Sequence, residues 1–139
     1  MLLASGNLIG TTSSGGAGNG GTVFELTPSQ GNWVFNLIYS LTGQESYGPE
    51  ASLTTDAAGN LYGTTVYGGA SGYGSAFKLT PSNGGWTYTS LHNFTGGGDG
   101  SNIQSNLIMD AHGNLYGVAS YGGAGSCSYG CGIVFEITP

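Results

Sequence analysis

Short segments of alternating apolar and polar residues run through the chain, and glycine-rich turns separate them. In segment 75–80, Phe77 and Leu79 alternate with Ala76 and Lys78, and a second alternating segment follows at 86–94. A period of two residues predicts β-strands. No segment combines a 3.6-residue period with capping residues, so we expect little or no helix.

The strand pattern is repeated along the chain. A Gly-Asn-Leu phrase begins at Gly6 and returns at Gly59 and Gly113, with spacings of 53 and 54 residues. A second phrase, which ends in Thr-Pro, keeps the same step in segments 23–28, 76–81 and 134–139. A tandem repeat of this length predicts a repeat architecture, but it says little about chemistry, because function lies in what decorates the scaffold.

The central repeat contains enough strands for one blade of a β-propeller. Its predicted strands are 51–56, 61–67, 75–80 and 86–94, separated by turns and a glycine-dense loop. Four short antiparallel strands in about 50 residues favour a propeller blade over a β-solenoid or a β-sandwich. We therefore predict an all-β fold, a partial β-propeller built from four-stranded antiparallel blades.

The register of the repeats predicts the domain organisation. Residues 1–139 are expected to form a single propeller segment of about 2.6 blades. The approximate units are 1–43, 51–95 and 105–139, the last of them incomplete. A propeller closes with at least ~4 blades, so we expect the remaining blades of a longer protein, or other copies of this chain, as partners.

Composition and charge exclude several classes of partner. Lys78 is the only basic residue beside seven carboxylates, which gives a formal net charge of −6. Without a basic patch, nucleic acid is not an expected partner, and no apolar run is long enough for direct membrane insertion. The first residues lack the features of a signal peptide, so any export signal is expected outside this chain. Nine tyrosines, five phenylalanines and two tryptophans can form a core despite the 29 glycines.

The two cysteines, Cys127 and Cys131, lie close together in one loop. Their spacing is not that of a redox CxxC motif, and His92 and His112 do not have zinc-ligand spacing to them. We favour a local disulfide over free thiols. A disulfide implies an oxidising compartment.

The combined motif resembles the GloVer repeat of bacterial choice-of-anchor tandem-repeat proteins. It consists of Leu-x-x-Asp-Ala-x-Gly-Asn-Leu-Tyr-Gly, then Tyr-Gly-Gly-Ala, then Gly-x-x-Phe-x-Leu-Thr-Pro. The resemblance implies an exported, extracellular or surface-anchored bacterial protein with more repeats, and no established activity. Leu3 departs from the motif where Asp56 and Asp110 stand in the other units, and Val118-Ala119 replaces a Thr-Thr pair.

Several candidate chemical signals also have structural interpretations. Asp56 and Asp110 could suggest acid–base catalysis, but repeat-equivalent carboxylates do not converge on one bond, so we favour side chains that accept hydrogen bonds from their own turns. Segment 16–21 matches a dinucleotide-binding glycine pattern without the helix that such a site needs. His92 and His112 assemble no convincing catalytic triad.

Two further signals remain open. Segment 96–102 carries oxygen ligands that could bind Ca²⁺, although it lacks full EF-hand spacing, and a linker between blades is the preferred interpretation. Trp33 and Trp86 begin equivalent strands. Exposed tryptophans would suggest sugar stacking, but their recurrence favours packing between blades. We expect no cofactor and no metal.

The long loops of each repeat are expected on one face of the scaffold. They are segments 67–74 and 121–132 together with the linkers 43–50 and 96–104. Variable loops on a rigid scaffold commonly carry binding sites. The candidate binding residues, for a neutral glycan or a surface protein, are Tyr67, Tyr73, Asp99, Asn102, Gln104, Tyr121 and Tyr129.

These observations predict a non-enzymatic extracellular repeat module for binding or surface display. One alternative is a structural spacer without a ligand. Another is part of an enzyme whose active site lies in missing blades. A cluster of non-repeated His, Asp or Glu would favour the enzyme, and the sequence shows none.

Overall fold

The computed structural model describes residues 1–42 and 46–139 as ten β-strands in three antiparallel sheets, with no helix in these residues. The first sheet contains β1 (Leu8–Thr12), β2 (Asn19–Ser29) and β3 (Asn32–Thr42). The middle sheet contains β4 (Thr54–Thr55), β5 (Leu61–Thr65), β6 (Ser75–Ser82) and β7 (Gly85–Asn93). The third sheet contains β8 (Ile108–Met109), β9 (Leu115–Ala119) and β10 (Ile133–Ile137). The predicted all-β class is confirmed, and the middle unit has the four predicted strands.

The repeats keep one pairing register. Thr12 pairs with Thr22, Thr65 with Ser75, and Ala119 with Ile133, each at the end of its strand pair. A register shift follows at equivalent places, between Val23 and Phe24 and between Ala76 and Phe77. These shifts place one extra residue in β3 and β7, which is a β-bulge and increases local twist.

A glycine opposite a phenylalanine lies at the centre of every sheet. The pairs are Gly10 with Phe24, Gly63 with Phe77, and Gly117 with Phe135. A Cβ atom at Gly63 would lie only 2.6 Å from the Phe77 ring, and one at Gly117 only 2.4 Å from the Phe135 ring. The tip of each ring therefore occupies the space that a Cβ atom would need, which explains why glycine occupies the middle of a strand that it would otherwise weaken.

The sheets pack face to face in chain order. Buried Ile9 and Val23 of the first sheet share a core with Leu61, Phe77 and Leu79 of the middle sheet. On its other face, the middle sheet packs against the third through a second set of apolar residues, which includes Tyr62, Ala76, Leu107, Leu115 and Ala119. The middle sheet is thus covered on both faces, and all five residues of β5 are buried.

Equivalent hydrogen bonds join successive sheets. Thr11 Oγ1 donates to Ala51 O at 3.4 Å, and Thr64 Oγ1 donates to Ser105 O at 3.2 Å. Donors and acceptors in these two bonds occupy matching positions of successive repeats. The contact between the first and middle sheets and the contact between the middle and third sheets are therefore built in the same way.

The stacked sheets form no closed barrel within residues 1–42 and 46–139. Stacking fits a series of propeller blades, and closure into a ring stays a prediction. The packing role predicted for the tryptophans holds for Trp86, which packs against the first core. It is wrong for Trp33, which is 51% exposed, because no described part of the chain covers that face of the first sheet. The described residues contain no helix that is long and apolar enough to cross a membrane.

Candidate functional site

Asp56 organises the turn between β4 and β5. Its Oδ1 accepts hydrogen bonds from the backbone N–H groups of Ala58 and Asn60, both at 2.9 Å. Its Oδ2 accepts from the Asn60 side chain at 2.6 Å and from the Tyr62 hydroxyl at 2.9 Å. Both carboxylate oxygens are occupied within the turn, which confirms the structural interpretation of this aspartate.

Asp110 forms the same network one repeat later. It accepts from the backbone N–H groups of His112 and Asn114 at 2.8 and 2.9 Å, and from the Tyr116 hydroxyl at 3.3 Å. Desolvation raises the pKa of Asp110, but hydrogen bonds from Asn114, His112 and Tyr116 outweigh it and lower the pKa to about 2. A carboxyl group that stays ionised in this way is a turn acceptor and not a general acid near neutral pH.

The first repeat forms the turn without a carboxylate. Gly6 N donates to Leu3 O at 2.9 Å, and Leu3 N donates to Asn7 O at 2.8 Å. The Asn7 side chain, which would otherwise face the aspartate, donates to Glu25 Oε1 at 2.7 Å. Backbone pairing and a glycine with positive φ are therefore sufficient for this turn.

The linkers and the glycine-rich loops lie side by side, as predicted. Tyr47 pairs with Tyr67, and Ser101 pairs with Tyr121, through isolated antiparallel bridges. Residues 43–45 of the first linker lie outside the described residues. The two bridges place the tyrosines of successive repeats along the same edge of the stacked sheets.

Four of the candidate binding residues line one surface cavity of about 120 Å³. The cavity is formed by Tyr67, Tyr73, Asn102 and Tyr121, with Val66, Gly72 and Ser101. Tyr67 and Tyr73 are each 50% exposed, and Tyr121 is 45% exposed. The cavity is therefore an aromatic notch that is open to solvent and has one amide group in its wall. We call it the tyrosine notch.

Backbone geometry holds two members of the tyrosine notch in place. The Tyr73 ring lies against Gly96, where a Cβ atom would approach ring carbons at 2.8 Å. Asn102 has a φ of 56°, in the left-handed region that asparagine tolerates, and its carbonyl accepts from Ser120 N at 3.4 Å. These constraints fix the positions of the Tyr73 ring and the Asn102 backbone before any ligand binds.

Tyr129 extends the aromatic surface beyond the notch. Its ring lies 5.8 Å from that of Tyr121 in an edge-to-face arrangement, and the side chain is 78% exposed. It is carried by a loop that the Cys127–Cys131 disulfide closes, with the two Cα atoms 5.2 Å apart. The predicted disulfide is present.

Asp99 and Gln104 lie outside the tyrosine notch. The Asp99 carboxylate accepts from Thr95 N at 2.9 Å and contacts His92 Nε2 at 3.1 Å, beside a separate cavity of about 130 Å³. Burial raises the pKa of Asp99, but hydrogen bonds from Thr95 and His92 outweigh it and lower the pKa. Gln104 Nε2 donates to Glu50 Oε2 at 2.9 Å. Both side chains are used within the protein, and the structure does not bring them to the tyrosines.

The Gly96–Asn102 loop uses its only carboxylate, Asp99, to accept hydrogen bonds from Thr95. Among the described residues, no group of three or more His, Cys, Asp or Glu side chains could hold a metal ion. The hydrogen bonds of Asp99 therefore favour the linker interpretation of this loop.

Sequence reasoning missed Tyr47, Val66 and Ser101. The Tyr47 ring lies 5.9 Å from the Tyr67 ring and is 38% exposed. Tyr47 and Ser101 are separated by 54 residues, the repeat step, so they occupy equivalent linker positions. This spacing could have identified Tyr47 and Ser101 as equivalent positions. The pairing of each linker with a loop is a tertiary contact, however, which periodicity does not reveal.

Repeated strand register, shared turn chemistry and stacked sheets define this chain as an all-β tandem-repeat protein. The family model described as the Gloeobacter/Verrucomicrobia repeat matches residues 1–139. The chain therefore belongs to this repeat family, which confirms the resemblance seen in its motifs. No curated protein matches the chain as a relative.

Proposed function

We propose that this chain is a non-enzymatic binding module of an exported bacterial surface protein, and that it holds a neutral glycan at the tyrosine notch. One observation carries the proposal. Tyr67, Tyr73, Asn102 and Tyr121 come from three separate segments, two loops and one linker, and line the same cavity. Aromatic faces supply broad apolar contact for sugar rings, and an amide can both donate and accept hydrogen bonds.

The size of the notch indicates how a glycan would bind. About 120 Å³ is far below the roughly 300–1,000 Å³ of pockets that enclose a drug-sized ligand. A single sugar face or substituent fits this volume, and the rest of the ligand would lie across the surface. Tyr47 and Tyr129 extend that surface on either side, through Tyr67 and Tyr121 respectively. This arrangement supports an extended oligosaccharide and not an enclosed small molecule.

The charge of the chain favours an uncharged ligand. One basic residue stands against seven carboxylates, so an anionic polysaccharide would meet repulsion that increases at low ionic strength. A neutral glycan avoids this cost.

Export is supported by the Cys127–Cys131 bond, since disulfides persist in oxidising compartments. A non-enzymatic role is supported by Asp56 and Asp110, whose carboxylates are both used within turns. An active site completed by further repeats is the competing enzymatic hypothesis. Hydrolysis of a bound oligosaccharide by the purified chain would favour that hypothesis.

Glycan binding can be tested with a neutral oligosaccharide array, followed by calorimetric titration with the oligosaccharide that binds best. Tyr67→Ala and Tyr121→Ala should each weaken binding at least tenfold, because each removes a stacking surface. Tyr67→Phe should retain most of the affinity. Asn102→Gly preserves the left-handed backbone and removes only the amide, so it should weaken binding without changing the fold.

Trp33→Ala is the matched control, because it removes an exposed aromatic side chain from a different surface. This variant should bind as the unmodified chain does. Absence of binding across the array would contradict the proposal, as would equal losses in Trp33→Ala and Tyr67→Ala.

A structural spacer is the second candidate, and the backbone pairing of Tyr67 supports it. Tyr47 and Tyr67 exchange two backbone hydrogen bonds of 3.0 Å, so this segment also joins successive repeats. If the spacer hypothesis is right, Tyr67→Ala, which removes the ring contact with Tyr47, will lower the unfolding midpoint while no array ligand binds.

A further inference from the structure

The open face of the first sheet is apolar. Leu8 pairs with Leu26, and Leu26 pairs with Phe35, so these three side chains share one face. Phe24 and Leu37 form the next pair on that face, and the Phe24 and Phe35 rings stack at 5.6 Å. Phe35 is 58% exposed and Leu37 is 55% exposed. We call this surface, with Trp33, the leading face.

The third sheet has a second open face at the opposite end of the stack. Val118 and Val134 are paired on it and are 49% and 76% exposed. With Ile108, Tyr116 and Gly117 they line a cavity of about 310 Å³. We call this surface the trailing face. A contiguous apolar patch that lines a surface cavity commonly marks an interaction site.

The repeats show which surfaces fit each other. Phe24 on the leading face is equivalent to Phe77, which packs with Val23 between the first and middle sheets. Val134 on the trailing face is equivalent to Val23 and to Ala76. Ala76 in turn packs in one cluster with Phe135, the counterpart of Phe77. The phenylalanine face of one sheet thus meets the small-residue face of the preceding sheet twice within this chain.

We infer that the trailing face of one copy binds the leading face of a second copy, in the manner of the two internal contacts between sheets. The occupant is a sheet of the same repeat, because the leading face presents the side chains that already cover equivalent positions. Glu136, on the same face as Val134, corresponds to Glu25 of the first sheet. Glu25 is half-buried and its carboxylate accepts a hydrogen bond from the Asn7 side chain, so a carboxylate at this position is compatible with a partly covered face.

Val118 also suits this contact. Its counterparts Thr11 and Thr64 donate hydrogen bonds to carbonyl groups of the following unit. Valine has no hydroxyl group, so a surface that packs against Val118 does not have to supply a carbonyl acceptor. With valine in place of threonine at this position, binding to the trailing face depends on apolar contact and not on a hydrogen bond to a linker carbonyl.

The contact joins two different surfaces, so it is heterologous. Heterologous contacts form a ring if the rotation closes and an open stack if it does not. Each copy carries a net charge of −6, and added salt should strengthen association by screening the repulsion.

The head-to-tail arrangement of this contact can be tested by mixing variants in sedimentation velocity experiments. The unmodified chain should form oligomers that grow with concentration. Val134→Asp blocks the trailing face, and Phe35→Asp blocks the leading face, so each variant alone should be monomeric. An equimolar mixture should form a 1:1 dimer, because each variant keeps the surface that the other lacks.

Val34→Asp is the control, since it adds the same carboxylate at an exposed apolar residue next to Phe35 but on the opposite face of β3. It should associate as the unmodified chain does. Leu37→Asp gives a second block of the leading face should Phe35→Asp fail to fold, with the circular dichroism of the unmodified chain as the folding standard. A monomeric unmodified chain at the highest accessible concentration would overturn the inference. Folded variants whose mixture stays monomeric would also overturn it.

Discussion

The middle and third sheets share one strand register. They differ in the side chains of the last residue pair of that register and in how many neighbouring sheets cover them. In the middle sheet, buried Thr65 and Ser75 are paired, and their hydroxyl groups lie 3.0 Å apart. In the third sheet the equivalent pair is Ala119 and Ile133. Both hydroxyl groups are replaced together, so no buried donor is left without an acceptor.

The outer faces of the middle and third sheets differ as well. Thr64 is 1% exposed beneath the third sheet, whereas its counterpart Val118 is 49% exposed. The same strand position can therefore hold a buried polar side chain, as at Thr64, or an exposed apolar side chain, as at Val118. Sequence identity between repeats therefore encodes the strands and turns, whereas the positions that differ between repeats mark what each sheet contacts.

The largest expected effect separates the two phenylalanines at the sheet centres. Phe77 is fully buried, so Phe77→Ala should lower the free energy of unfolding by about 3–5 kcal/mol. Phe135 is only partly buried, and Phe135→Ala should cost about half as much. Urea denaturation followed by circular dichroism measures both values. Equal losses would show that the middle sheet is not the better-covered one.

The hydroxyl pair should behave as a unit. Ser75→Ala alone removes one hydroxyl partner from Thr65 and one from Ser46, while Thr65 keeps its bond to Tyr67 O and Ser46 keeps its bond to the Tyr88 hydroxyl. This change should cost about 0.5–1.5 kcal/mol.

Gly100 of the third unit stands where Ser46 contacts Ser75 in the middle unit, and it leaves no room for a Cβ atom beside Ala119 and Ile133. In a Ser46→Gly background, the double variant Thr65→Ala/Ser75→Ile therefore copies the third sheet, and it should be more stable than the sum of the two single changes predicts. A double-mutant cycle measures the coupling. Strict additivity would contradict the account of paired replacement.

The disulfide belongs to the third unit alone and should have a smaller global effect. Cys127→Ser/Cys131→Ser opens a loop of a few residues, for which the chain-entropy estimate gives at most about 2 kcal/mol. Intact-mass analysis with and without reductant should first show the bond in the unmodified protein. The unfolding midpoint of the double variant should then fall slightly. A free-thiol mass in the unmodified protein would exclude the predicted bond.

The aspartate turns should show the smallest effect and the least difference between sheets. The pKa of Asp110 is lowered from 3.8 to about 2, and that of Asp56 is also lowered. Ionised carboxylates therefore stabilise the folded state above pH 4, and this contribution is lost as the pH falls towards about 2. Asp56→Asn and Asp110→Asn should flatten this acid dependence by similar amounts. A strong flattening in only one variant would show that the turns are not equivalent.

The strands and turns could be predicted from the sequence because their determinants are local. A positive φ at Gly59 and the side-chain acceptor of Asp56 act within five residues. The grouping of Tyr67 with Tyr121 was also predictable, since loops from the same end of successive strands meet at one edge. These predictions needed only period, turn chemistry and strand order.

Other features depended on tertiary contacts. Trp33 and Trp86 are equivalent in sequence, but only Trp86 has a sheet against its face. The loop position of Asp99 predicts a carboxylate available to a ligand, whereas its oxygens accept a hydrogen bond from Thr95 N and contact His92 Nε2. Local patterns cannot distinguish these outcomes, because the deciding partner lies in another strand or another unit.

Hydrogen–deuterium exchange measures directly whether the middle sheet is covered on both faces and the third on one. β5 and β9 are matched five-residue strands, and each is paired with a strand on both sides. Measured at low protein concentration, where copies are apart, the amides of β5 should exchange more slowly than those of β9. Equal protection, or slower exchange in β9, would contradict the stacking of the sheets in chain order.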